Sequence, residues 1–114
     1  MAECLFCRIV ERTIPAKILY EDEQCLCFAD INPQARVHVL VIPKRHVTSI
    51  GSATEDDSAL LGHLLGVCAK VARDQGVADS GYRVVTNVGQ EAGQSVFHLH
   101  FHVLGGRSLS WPPG

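Results

Sequence analysis

The chain has no apolar run long enough to cross a bilayer. The longest, VHVLVIP at 37–43, spans seven residues, against the roughly 20 that a membrane helix needs. The N-terminal MAECLFCRIVERT has no basic lead followed by a long apolar core. It does not read as a secretory leader, and an intracellular, cytoplasmic protein is expected. Surplus charge is scarce too. Ten Lys and Arg against twelve Asp and Glu leave a formal net charge of −2, so no general attraction draws the chain to nucleic acid or to anionic membrane. No Walker loop, dinucleotide fingerprint or pair of aspartates placed for magnesium occurs. Repeats, linkers and low-complexity tracts are missing as well. Five cysteines are an odd number, and without a leader a disulfide framework is a poor fit. Reduced thiols, some of them on a metal, fit better.

What is present suits one domain over 1–114. Hydrophobic residues make up 46% and charged residues 19% of the 114, enough to bury a core and too apolar for disorder. CLFCRIVERT can form a short helix that stops before Pro15. Two strands are expected at 18–21 and 25–28 around the polar turn DEQ, and the valine-rich 37–43 reads as a buried central strand closed by Pro43. Thr54 and Asp57 have the spacing of a capping box. The helix after them carries Leu60, Leu64, Val67, Cys68, Val71 and Ala72 on one stripe and ends at Gly76. YRVVTN and FHLHFHVL are the remaining strands. The expected class is α+β: an antiparallel sheet of about five strands, one long helix and a short N-terminal helix.

FHLHFHVL also holds the chemistry. His98, His100 and His102 alternate with Leu99, Phe101 and Val103. In a strand, residues two apart share a face, so the imidazoles form a row with Cα atoms roughly 6.7 Å apart while the apolar residues face the core. Adjacent imidazolium ions repel, so part of the row should be neutral at pH 7 and able to act as nucleophile, base or ligand. The preceding loop, with Gly89, Gly93, Gln94 and Ser95, could turn amides and a hydroxyl toward a phosphate. Phosphate chemistry here would fall to the histidines, with no metal required for catalysis. Cys4 and Cys7 have zinc-knuckle spacing and need two more ligands, for which His38, His46, His63 and a member of the row are candidates. Cys25 and Cys27 share a strand face, and Cys68 is expected in the core.

HLHFHVL resembles the signature of the histidine triad (HIT) family, and the likeness extends over IPAKILYEDEQCLCFADINPQA, HVLVIPKRH, GYRVVTNVGQEAGQSVFHLHFHVLGGR and the terminal WPPG. These segments resemble the histidine triad nucleotide-binding branch, the purine nucleoside phosphoramidases. The resemblance implies a HIT-like fold, a homodimer whose sheets join into one of ten strands, binding of AMP or GMP, and hydrolysis of a P–N bond. It implies His100 as nucleophile, His102 as phosphate ligand and His38 as a relay behind the nucleophile. Asn87, Gly93, Gln94 and Ser95 would contact the phosphate and leaving group, with Ser95 part of the catalytic set. Asp30 would meet the ribose, and Leu5, Phe6, Ile14, Phe28 and Ile31 would form the base pocket. The resemblance also implies a structural zinc on Cys4, Cys7, His46 and His98, and a tail that brings Trp111 beside the partner's site. The CxxC pair is typical of bacterial relatives, whereas the WPPG ending is typical of animal ones. Rival readings are a dinucleoside polyphosphate hydrolase, and a zinc-containing nucleotide-binding interaction protein without turnover.

Overall fold

The computed structural model describes residues 4–114. Five antiparallel strands form one sheet in the order β1-β2-β3-β5-β4. They are β1 (Ile18–Glu21), β2 (Cys25–Ala29), β3 (Val37–Pro43), β4 (Tyr82–Val85) and β5 (Phe101–Gly105). The strand at the centre is the valine-rich one, and all of its residues are buried, as a strand covered on both faces must be. The short helix α1 (Leu5–Val10) and the long helix α2 (Ser58–Asp74) complete the regular structure. No helix among the described residues is long and apolar enough to cross a membrane.

Two-residue alternation sorts the sheet into two apolar layers. Cys25 and Cys27 of β2, Val37, Val39 and Val41 of β3, and Leu99, Phe101 and Val103 pack under α2, against Leu64, Val67, Cys68, Val71 and Ala72. Leu26, Phe28, Leu40 and Ile42 point to the other side and pack against Phe6 and Ile9 of α1. The larger core therefore lies on the α2 face and the smaller one on the α1 face. Thr54 and Asp57 do form a capping box. It closes a 3-10 turn that runs directly into α2, so the box sits one turn ahead of the helix proper. Gly76 follows the helix at φ +77°, a conformation that costs glycine little.

The last strand is shorter than expected. Its ladder with β3 stops at the pair Val41–Phe101. Beyond it Pro43 has no N–H to offer, and Leu99 donates its N–H to the Val47 carbonyl at 2.6 Å. His98, Leu99 and His100 therefore lie in irregular backbone, while the alternation of faces persists through them.

The two-layer packing makes a sharp comparison possible on α2. Leu64 is fully buried and Leu65 is 50% exposed. Leu64→Ala should lose about 2–5 kcal/mol of stability, and Leu65→Ala should stay within about 0.5 kcal/mol. Urea unfolding of the two variants checks this.

Candidate active site

Five histidines and Asp30 converge on the α1 face of the sheet. His98 is fully buried and its Nε2–H donates to the Pro43 carbonyl at 2.8 Å. A carbonyl can only accept, so Nε2 carries the proton and the Nδ1 lone pair is free. That Nδ1 lies 3.3 Å from Cys4 Sγ and 3.5 Å from Cys7 Sγ. His46 brings its own Nδ1 to 3.3 Å from Cys7 Sγ, and its ring stands 88° to that of His98. The four donor atoms lie within 4.8 Å of one another. Two sulfurs and two imidazole nitrogens, gathered at one point, fit a borderline-soft divalent ion such as zinc. Without such an ion, burial and the neighbouring Cys4 push the Cys7 thiol up to about 11.

His100 is oriented from behind by the same segment. Its Nδ1–H donates to the His98 carbonyl at 2.7 Å, so in the neutral ring the lone pair is on Nε2. Phe6 stands edge-on to the His100 ring with centroids 5.1 Å apart. Phe6 lies between the two cysteines in sequence, so α1 connects the metal-competent group to the nucleophile candidate. His102 lies 5.0 Å from His100 between ring centroids.

His38 meets His102, not His100. The Gln34 N–H donates to His38 Nδ1 at 3.0 Å, which puts the neutral ring's proton on Nε2. That N–H lies 2.9 Å from His102 Nδ1 and 3.3 Å from Asp30 Oδ2. His102 Nδ1 is then an acceptor, and its Nε2 carries an N–H. Burial lowers the pKa of all three of His38, His98 and His102. For His102 burial, with His100 and His38 beside it, pulls the value down to about 4. The expectation of neutral imidazoles in the row thus has a physical cause in desolvation.

A cleft of about 240 Å³ opens beside these rings. Its lining includes the expected Leu5, Phe6, Ile14, Phe28, Asp30, Ile31, Ser95, His100 and His102. Ile31 is fully exposed at its mouth and Leu5 is 44% exposed, an apolar rim open to a ligand. Ile9, Leu40 and Val96 also line it. The sequence reading missed them, although the first two carried a signal. Ile9 follows Leu5 by one helical turn, and Leu40 shares the β3 face of His38. Asn87, Gly93 and Trp111 do not line the cleft. Gln94 is turned inward and only 6% exposed. Its amide donates to the Thr48 and Val96 carbonyls and accepts from the Gly89 N–H. It ties the loop down so that Ser95 is presented beside the histidines. Trp111 is 81% exposed on a tail without regular structure.

The family profile described as "Scavenger mRNA decapping enzyme C-term binding" matches residues 3–110. An uncharacterized HIT-like protein of Synechocystis sp. is 56% identical over 115 residues, spanning all of both chains. The chain belongs to the HIT-like family. Its fold is that of a HIT family hydrolase from Legionella pneumophila, with TM-score 0.96 and 47% identity over 98% of this chain and 100% of the other. A histidine triad protein from Clostridium difficile superposes with TM-score 0.93 at 38% identity, over 96% of each chain.

The electrostatics of this HIT-like protein have a measurable consequence. An unfolded histidine titrates near about 6.5, above the lowered values of His38, His98 and His102. Between about pH 6.5 and the value of about 4 for His102, the unfolded chain binds protons that the folded chain refuses. These three rings should therefore lower stability as pH drops through this window and add no slope above it. Denaturant midpoints measured from pH 4.5 to 8 should show that slope, and His102→Asn should reduce it.

Proposed function

We propose that this HIT domain, spanning 1–114, is a purine nucleotide-binding hydrolase that cleaves the P–N bond of nucleoside 5′-phosphoramidates. The observation that carries the reading is the free Nε2 of His100 beside an apolar cleft, with its Nδ1–H anchored on the His98 carbonyl. That arrangement presents a neutral lone pair without requiring proton removal first. Leu5, Phe6, Ile14, Phe28 and Ile31 offer an apolar slot for a purine, with AMP or GMP as the nucleotide. Asp30, on the lining of the cleft, would accept from the ribose hydroxyls.

The reaction follows in two steps. The His100 Nε2 lone pair attacks the α-phosphorus, a P–N bond to histidine forms, and the bond to the amine breaks. The electron pair goes to the amine, which leaves with a proton. That proton is taken up from water and passes to the amine by way of the His38–His102 pair, so both rings end the step neutral. Water then attacks the nucleotidyl-histidine, the P–Nε2 bond breaks, and the attacking water's proton returns to solvent in place of the one the amine carried off. His100 returns neutral and the nucleoside monophosphate departs. The Nε2–H of His102 and the Ser95 hydroxyl offset charge on the phosphoryl oxygens. Asn87, Gly93 and Gln94 act through the loop that presents Ser95.

In this reading the protein is a cytoplasmic homodimer with the two sheets joined, and Trp111 reaches the partner's cleft. Cys4, Cys7, His46 and His98 hold zinc as a structural clasp that pins α1 to the sheet. The ion takes no part in the bond-breaking steps.

His100→Ala should lower turnover of an adenosine phosphoramidate by several orders of magnitude while AMP still binds. A fluorogenic amine substrate and calorimetry with AMP measure the two. Retention of a tenth of wild-type activity would remove His100 from the role. Reduced protein should contain zinc, and Cys4→Ser with Cys7→Ser should lower its content by one equivalent. Stripping the metal should lower Tm more than kcat. Metal analysis that found no loss in the double variant would leave the clasp without support.

A further inference from the structure

A second group of ligating side chains lies on the opposite face of the sheet from the cleft, and nothing in the proposed reaction uses it. Asp22 stands in the turn between β1 and β2, Cys25 opens β2, and His63 reaches over from α2. His63 Nε2 is 2.7 Å from Asp22 Oδ2 and 4.0 Å from Cys25 Sγ. The three donor atoms lie within 4.8 Å of one another. The carboxylate is held in place beforehand. Its Oδ1 accepts the N–H groups of Gln24 and Cys25 at 2.8 and 2.9 Å, and its Oδ2 accepts the Tyr20 hydroxyl at 3.0 Å. Cys25 has no solvent exposure, whereas the His63 and Asp22 side chains are 34% and 24% exposed. An approach is thus open from solvent, with the sulfur at its inner end.

We propose that Asp22, Cys25 and His63 form a second divalent metal site, suited to zinc, with three protein ligands and one position left to water. The argument rests on donor chemistry and on distance. One thiolate, one imidazole and one carboxylate form a mixed set that a borderline-soft ion prefers over magnesium or calcium. Ligands held tetrahedrally on zinc stand roughly 3.2–3.6 Å apart. The present separations of 2.7 and 4.0 Å reach that by shifts of about half an ångström in opposite senses. The thiolate and the carboxylate neutralise the ion's two charges. Binding releases the thiol proton of Cys25 to water, and His63 binds as a neutral ring through Nε2 with its one remaining proton on Nδ1. Three elements that only tertiary folding brings together would be joined, so the ion would brace α2 against the β1–β2 turn. The site shares no residue with the cluster at Cys4.

Cobalt(II) reports such a site, because a thiolate bound to cobalt gives a charge-transfer band. The full chain carrying Cys4→Ser and Cys7→Ser should bind about one equivalent of cobalt(II) with that band. Adding His63→Ala or Cys25→Ser should abolish it. Tyr20→Phe removes the hydroxyl that holds the carboxylate and should weaken cobalt affinity by about tenfold. If the double serine variant keeps the wild-type circular dichroism but shows no band, or if the band survives His63→Ala, the site is refuted. Should that variant fail to fold, the otherwise native chain decides. His63→Ala should lower its zinc stoichiometry by one equivalent, and an unchanged stoichiometry overturns the proposal. Neither readout involves a nucleotide, so the outcome is independent of the hydrolase reading.

Discussion

The buried bond from His98 Nε2–H to the Pro43 carbonyl, 2.8 Å long, is the constraint on which the α1 face depends. Pro43 ends the central strand with a carbonyl that the ladder to β5 does not use. By taking the His98 proton on Nε2, that carbonyl turns Nδ1 toward Cys4 and Cys7. The main chain of His98 is held at the same time, and its carbonyl accepts His100 Nδ1–H. One proline-terminated strand thereby orients two histidines, one toward the cysteines and one toward the cleft.

Burial supplies the second half of the design. An imidazolium in this desolvated layer is costly, and burial lowers the pKa of His38, His98 and His102 accordingly. His38 shows how neutrality is used. With Nδ1 occupied by the Gln34 amide, its single proton points at His102 and Asp30. A chain of donors with defined direction results, ending on the His102 Nε2 beside the cleft. Helix α1 connects this chemistry to the metal-competent group. It has only six residues, too few to be stable alone, and its cap is the Cys4 sulfur accepting the Cys7 N–H. The helix that walls the cleft is therefore held by the same thiols that offer themselves to a metal.

Much of this was legible from local pattern. Alternation in VHVLVIP and HLHFHV placed the imidazoles on one face and the valines on the other, because the pleat allows no other arrangement. The helical stripe from Leu60 to Ala72 and the Thr54–Asp57 box were readable for the same reason: each depends on spacings of four residues or fewer. The length of β5 was not legible. Whether Leu99 pairs with β3 or with Val47 depends on where the chain turns after Pro43, and no periodicity encodes that. The family resemblance implies Gln94 as a phosphate contact. Its inward turn became visible only with the Thr48 carbonyl, 46 residues away, beside it.

By itself the sequence determined the α+β class, the two faces of the sheet, the CxxC pair and the row of three histidines, since these follow from residue type and short spacing. The choice among His38, His46 and His63 beside the cysteines required residues 39 positions apart to meet. The pairing of His38 with His102 likewise joins atoms 64 residues apart. Each ring's proton sits where a partner of that kind accepts it. Such partners are set by strand order and loop path, which are long-range outcomes of packing the two apolar layers. Only the tertiary structure could therefore decide which imidazole faces the cysteine pair, which one opens onto the cleft and which one is held as a donor.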